Sequence, residues 1–213
     1  QIIKKDFANT SPGYEIFSRE LFAPNFGIPQ SRRRIFIIGV NKNFIESNQL
    51  ELFDDDLFPD IEFTTQNTDT TLPHTPPAKH FFDGLLQPQE TKDLSQKSYS
   101  KAKYTPNSQG QIEINENALA PTIRSEHHGN IEFRFLSPEL GGKNIKSDTD
   151  YQRRLTVREC ARIQTFPDEL EFVFKTSENC KLSASAAYKL IGDAVPPLLS
   201  YKIVHKLEKL LLK

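Results

Sequence analysis

The sequence predicts an α+β fold, and three observations carry that expectation. Two strand-like stretches, Tyr14–Phe17 and Arg34–Val40, follow a short helical pattern over residues 1–7. From about Asn41 to Glu116 the texture turns to Asn, Gln, Thr, Asp and Pro, which breaks any long element. Helical patterns then close the chain.

In residues 1–7, Ile2, Ile3 and Phe7 recur at helical spacing with no capping residue before them. Ser11-Pro12-Gly13 reads as a turn. The second strand, Arg34-Ile35-Phe36-Ile37-Ile38-Gly39-Val40, is continuously apolar, and such a strand calls for cover on both faces. In the middle, Pro73, Pro76, Pro77 and Pro88 predict irregular structure with short strands, and further strand-like pieces lie at Ile112–Ile114 and Ile131–Phe135. Gly141-Gly142 marks a loop. Leu155–Phe166 reads as a helix opened by a Thr156/Glu159 capping box and stopped by Pro167. Ser183–Ile191 is a second helix ended by Gly192. Pro196-Pro197 starts a third, whose Leu199, Ile203, Val204, Leu207, Leu210 and Leu211 form a stripe for burial.

With 213 residues, 37% of them hydrophobic, the chain can bury a core as one domain or two small ones. A net charge of −1 excludes a uniformly basic nucleic-acid binder and leaves a locally basic one. The basic charge gathers at Arg32-Arg33-Arg34 and at Arg153, Arg154, Arg158 and Arg162, against an acidic stretch at Asp54-Asp55-Asp56 and Asp60. Both clusters are purely arginine, the side chain that grips phosphate or a base edge bidentately; a solvated charged face is the alternative reading. Cys160 and Cys180 form no disulfide framework and no Cys-x-x-Cys signature. His127-His128-Gly129-Asn130 lacks cysteine or carboxylate at ligand spacing and reads as a loop, with base reading or metal binding as alternatives, so no metal site is expected. No stretch of about 18 apolar residues is present, and the expected location is cytoplasmic. With no methionine and Gln1 leading, the chain reads as a fragment.

Three stretches, in order, resemble the C-terminal half of the DNA (cytosine-5) methyltransferase family. Gly13-Tyr14 with Phe26-Gly27-Ile28-Pro29-Gln30-Ser31-Arg32-Arg33-Arg34 resembles its Gln-x-Arg-x-Arg element. Arg154-Leu155-Thr156-Val157-Arg158-Glu159-Cys160-Ala161-Arg162-Ile163-Gln164-Thr165-Phe166-Pro167 is the second, and Ala187-Tyr188-Lys189-Leu190-Ile191-Gly192-Asp193-Ala194-Val195-Pro196-Pro197 the third. Ala120-Pro121-Thr122-Ile123-Arg124 resembles the threonine-aliphatic pair that closes the family's target recognition region. The family's glycine-rich cofactor loop, Pro-Cys nucleophile and Glu-Asn-Val element do not occur; neither cysteine follows proline.

The resemblance implies that 1–40 is the last helix and edge hairpin of a truncated Rossmann-like sheet. Segment 41–182 is then a mostly β or irregular target recognition domain, and 183–213 are helices returning to the catalytic domain. It implies transfer of a methyl group from S-adenosylmethionine to C5 of a cytosine flipped out of double-stranded DNA, by an enzyme of which this chain lacks the nucleophile. Arg34 would polarise the flipped base at O2, Arg32 would hold the adjacent backbone and the cysteine loop, and Gln30 would set their strand. Gln30, Thr122, Arg124, Arg154 and Arg158 are the expected DNA contacts, while Arg33 fringes the strand and the acidic stretch faces away from DNA. Asp193, Ala194 and Val195 are expected at the methionine end of the cofactor; Asp193 stands where the family usually has asparagine. The expected partners are DNA and the N-terminal catalytic half, in cis or as a separate subunit. A non-catalytic DNA-binding module, a natural subunit of a split enzyme and an unrelated anion-binding protein are the alternatives.

Overall fold

The computed structural model describes residues 2–66, 71–125, 130–144, 152–173 and 182–211. Helix α1 (Ile2–Asn9) leads into a hairpin of β1 (Tyr14–Phe22) and β2 (Arg33–Asn41), paired antiparallel from Tyr14↔Asn41 to Phe22↔Arg33. β1 runs five residues past the expected stretch, because Phe17, Arg19 and Leu21 alternate onto one face: Phe17 and Leu21 are buried, and Arg19 lies over the Phe58 ring at 5.0 Å. Cover on both faces of β2 is not what the structure shows. Val40 is buried and Phe36 and Ile38 pack against the core, whereas Ile35 and Ile37 are exposed.

The middle of the chain makes short helices where short strands were expected: α2 (Lys42–Ser47), α3 (Asp54–Leu57), a 3-10 turn at Ala78–Phe82 and α4 (Leu94–Lys97). Asn41 and Asp93 cap α2 and α4 with their side chains, the local bonding that favours such residues at helix starts. The second small sheet pairs β3 (Phe133–Phe135) with β4 (Arg153–Arg154). Helix α5 (Val157–Ile163) carries the expected capping box: Glu159 N–H donates to Thr156 Oγ1 at 3.0 Å and Thr156 N–H to Glu159 Oε2 at 2.8 Å. It ends before the expected Phe166, since Thr165 adopts φ 66°. Helices α6 (Ala184–Asp193) and α7 (Pro197–Leu211) complete the fold.

Gly192 does not terminate α6. It sits inside the helix, where an added Cβ would lie 2.3 Å from the carbonyl carbon of Arg124, so glycine is there for close packing and not for a left-handed turn. In α7, Leu199 and Ile203 are buried and Leu207 and Leu210 pack against the core, but Val204 is exposed.

Two hydrophobic cores result, and they do not follow the expected segments. One joins Phe17, Leu21, Phe26 and Ile28 with Leu57 and Phe58 from the middle segment and Leu199 and Ile203 of α7. Ion pairs Arg19–Asp55 at 2.5 Å, Lys202–Glu62 at 2.5 Å and Lys206–Asp60 at 3.1 Å tie the acidic stretch to this unit. The other core gathers Ile114, Ile123, Ile131, Leu155, Val157, Cys160 and Ile163 with Ala187, Tyr188 and Ile191 of α6. Thus the start of the middle segment belongs with the hairpin, and α6 belongs with the second unit.

Candidate functional site

The approach to β2 is where the units meet. Ser31 N–H donates to Ala120 O at 2.9 Å, Ala120 N–H to Pro29 O at 2.8 Å, and Thr122 Oγ1 to Ser31 O at 2.6 Å. Residues about 90 positions apart are thereby stitched side by side. Arg32, buried, donates to Ile123 O at 3.0 Å, Gly192 O at 2.9 Å and Ala194 O at 3.2 Å. Its pKa is pushed down to about 10, by burial first and then by the charge of Arg34, with Asp193 opposing. It stays a cation at neutral pH. Its Nε is buried without an acceptor among the described residues.

Two clefts adjoin Arg32 and share Arg34 and Asp193. One, of about 420 Å³, is walled by polar groups: Arg32, Arg34, Thr122, Arg124, Ser125, Gly192 and Asp193. The other, of about 290 Å³, is apolar, with Leu21, Phe36, Ile37, Val195, Pro196 and Leu199 among its walls. Arg34 is exposed and donates to Arg33 O at 2.7 Å, forming no ion pair among the described residues. Arg124 is likewise exposed. The structure therefore brings Arg32, Arg34, Thr122, Arg124 and Asp193 together from three distant stretches, with two guanidiniums open to the cleft. Asp193 and Val195 are exposed on the walls, while the Ala194 carbonyl turns inward to Arg32.

Other expected contacts lie elsewhere. Gln30 is buried, accepting from Ile123 N–H at 3.1 Å and donating to Gln164 Oε1 at 2.8 Å, so it offers nothing to DNA. Arg154 is 1% exposed: it donates to the carbonyls of Ala102, Lys103, Gly110 and Ile131 and to Gln111 Oε1, and its guanidinium lies 4.0 Å from the centre of the Phe133 ring. Arg158 is buried too, bonded to Asp93 Oδ2 at 2.7 Å and Leu170 O at 3.0 Å. Arg162 grips Asp168 through two bonds of 2.9 and 2.5 Å. Arg154 and Arg158 are thus internal struts and not phosphate contacts. Buried cations must find acceptors inside, and these arginines have done so.

Arg153 completes the scaffold, donating to both oxygens of Glu159 at 2.8 Å. Burial alone would raise the Glu159 carboxyl, but the hydrogen bonds and charge of Arg153, with the charge of Arg134, hold it below the ordinary range. Burial pushes the Cys160 thiol well up, as befits a small residue of the core and not a nucleophile. Cys180, His127 and His128 lie outside the described residues. Sequence reasoning missed Ser125 as a wall of the cleft and Gln164 as a buried junction; the second lies within a stretch already singled out, but no spacing rule separates it from its neighbours.

A family model of C-5 cytosine-specific DNA methylases matches residues 1–209. The chain belongs to this family. Among the curated relatives of this chain is the type II methyltransferase M.NgoPII of Neisseria gonorrhoeae, 30% identical over 214 residues that cover 93% of this chain and 57% of that protein. The type II methyltransferase M.FnuDI of Fusobacterium nucleatum is 27% identical over 210 residues, covering 93% and 56%. The chain thus spans about half the length of the curated relatives it matches. Its fold resembles the crystal structure of a prophage-encoded E. coli protein described as a DNA modification methyltransferase (TM-score 0.59, 19% identity), covering 100% of this chain and 65% of that one. Among the described residues no helix is long and apolar enough to cross a membrane.

Proposed function

We propose that this chain is the DNA-recognition part of a DNA cytosine-5 methyltransferase of the restriction-modification type, acting on cytosine flipped from double-stranded DNA. One observation carries the reading: Arg32, Arg34, Thr122, Arg124 and Asp193, distant in sequence, wall a single polar cleft. A base turned out of the stack costs a few kcal/mol, which donors in a recessed site can offset. Arg34, exposed at the mouth of the cleft, donates to O2 of the flipped cytosine and draws charge from the ring. Arg32 holds the walls, and its spare Nε–H donates to a backbone carbonyl of the catalytic half. Thr122 and Arg124 face the DNA.

The nucleophilic cysteine comes from outside this chain, in cis or on a separate subunit, and the chain alone is inactive. The edge hairpin extends a Rossmann-like catalytic sheet in that assembly, and the cytoplasm is its location. The apolar cleft fits one edge of S-adenosylmethionine: Val195, Pro196 and Phe36 offer a greasy wall, and Asp193 stands at its rim beside the two arginines. When bound, that cofactor supplies the methyl group.

Arg34→Ala in the complete gene product tests the reading, with DNA affinity and transfer of labelled methyl measured side by side. Loss of one donor to developing charge is expected to lower the transfer rate by about 100-fold or more, with DNA affinity changed by no more than a few-fold. Equal losses in both would reduce Arg34 to a phosphate contact.

A further inference from the structure

The two buried glutamines at the heart of the junction have no part in the chemistry above. Gln164 is 0% exposed. Its Nε2 donates to Ile191 O at 2.6 Å and Ala194 O at 3.3 Å, and its Oε1 accepts from Gln30 Nε2 at 2.8 Å. Gln30 Oε1 in turn accepts from Ile123 N–H at 3.1 Å. These bonds all run one way, from the Ile123 amide through two side-chain amides to the last turn of α6. The final carbonyls of a helix have no partner within it, and here Gln164 takes Ile191 O while Arg32 takes Gly192 O. Arg32 also takes Ile123 O, so the same residue is held through its N–H by Gln30 and through its carbonyl by Arg32. Thr122 and Arg124 flank Ile123, and Asp193 follows Gly192; each lines the polar cleft.

We propose that Gln164, acting through Gln30, is a positioning residue for methyl transfer. The Gln30–Gln164 pair fixes the spacing between the segment at 122–124 and the end of α6, and so the width of the cleft around Arg32 and Arg34. The inference rests on the methyltransferase reading. An amide is needed at each position because each uses a donor and an acceptor at once; a hydrocarbon of equal size would leave Gln30 Nε2 and Ile191 O buried and unpaired.

The test uses Gln164→Met and Gln30→Met, which keep length and volume, and the double variant, all in the complete gene product. Single-turnover methyl transfer is followed with enzyme in excess over unmethylated phage DNA, a rate constant that does not scale with the folded fraction. Each single variant is expected to slow transfer at least tenfold, since a misplacement of about 1 Å at a reacting site costs on the order of 100-fold. The double variant is expected to be no slower than the slower single, because both break one chain of bonds. Should Gln164→Met fail to fold, Gln30→Met interrupts the same chain from its other end and is held to the same threshold. A smaller loss than tenfold, with or without a lower melting temperature, or losses that multiply in the double variant, overturns the positioning role. An unmutated enzyme that methylates no cytosine overturns the functional reading, and this inference with it.

Discussion

Replacing Gly192 by alanine puts one methyl group at a close contact within the second unit, where α6 meets the backbone of residues 124–125. Its Cβ would lie 2.3 Å from the carbonyl carbon of Arg124, 2.4 Å from its oxygen and 2.4 Å from Ser125 N. Ordinary contact starts at 3.4 Å, and all three neighbours are backbone atoms, so α6 and residues 124–125 must part by about 1 Å. Overpacking of that kind costs about 1–3 kcal/mol, against about 1 kcal/mol regained because alanine favours helix over glycine. The net loss of up to about 2 kcal/mol corresponds to a melting temperature lower by up to about 8 °C for a chain of this size. Arg124 and Asp193, on either side of the contact, shift with it, and a displacement of about 1 Å is expected to slow methyl transfer on the order of 100-fold. Thermal denaturation followed by circular dichroism reads the first quantity and single-turnover transfer the second. A melting temperature within 1 °C of the parent together with an unchanged rate would refute the close packing and its coupling to the cleft.

Arg154→Met is expected to destabilise by about 3–5 kcal/mol, since it strips the carbonyls of Ala102, Lys103, Gly110 and Ile131 of their donor. The slope of log DNA affinity against log salt should stay as it was; an intact fold with a slope shallower by about 0.9 would make Arg154 a phosphate contact after all. Glu132 is raised to about 7, by burial first, with its own backbone bond and the charges of Arg124 and Arg154 opposing. The folded chain then holds a proton that the unfolded chain has released between its ordinary value of 4.5 and about 7, so stability falls as pH rises through that window. Glu132→Gln should be near neutral in urea denaturation at pH 4.5 and stabilising by up to about 3 kcal/mol at pH 8; equal effects at both would contradict the shift. Asp193→Asn should tighten S-adenosylmethionine binding up to about fivefold by calorimetry on the complete gene product, because an exposed like-charge contact is worth about 1 kcal/mol at most. An unaltered dissociation constant would remove Asp193 from the cofactor's surroundings.

What the sequence by itself determined is what short-range chemistry decides. The Thr156/Glu159 capping box needs residues only three apart, so it was legible, although α5 starts at Val157, two residues after the expected Leu155. The apolar stretch at Arg34–Val40 extended as a strand, the stretch read as a helix from Ser183 to Ile191 folded as α6, and Pro196-Pro197 stands at the start of α7, each from its own neighbours. The motifs around Gln30, Leu155 and Ala187 likewise placed the chain in its family, since order along the chain is a property of sequence. The tertiary structure alone decided which arginines are available. Arg34 and Arg154 sit in equally basic stretches, yet one opens onto a cleft and the other is enclosed by carbonyls from residues 102, 103, 110 and 131. Those carbonyls belong to every residue type alike and leave no trace in composition. For the same reason α6 could be recognised as a helix but not assigned to the second core, and Gln164 could be read as part of a motif but not as a junction. Which face of a helix is buried, and which acceptor meets a guanidinium, depends on segments brought together across distances such as the 23 residues from Ile131 to Arg154 and the 160 from Arg32 to Gly192, over which local pattern carries no information.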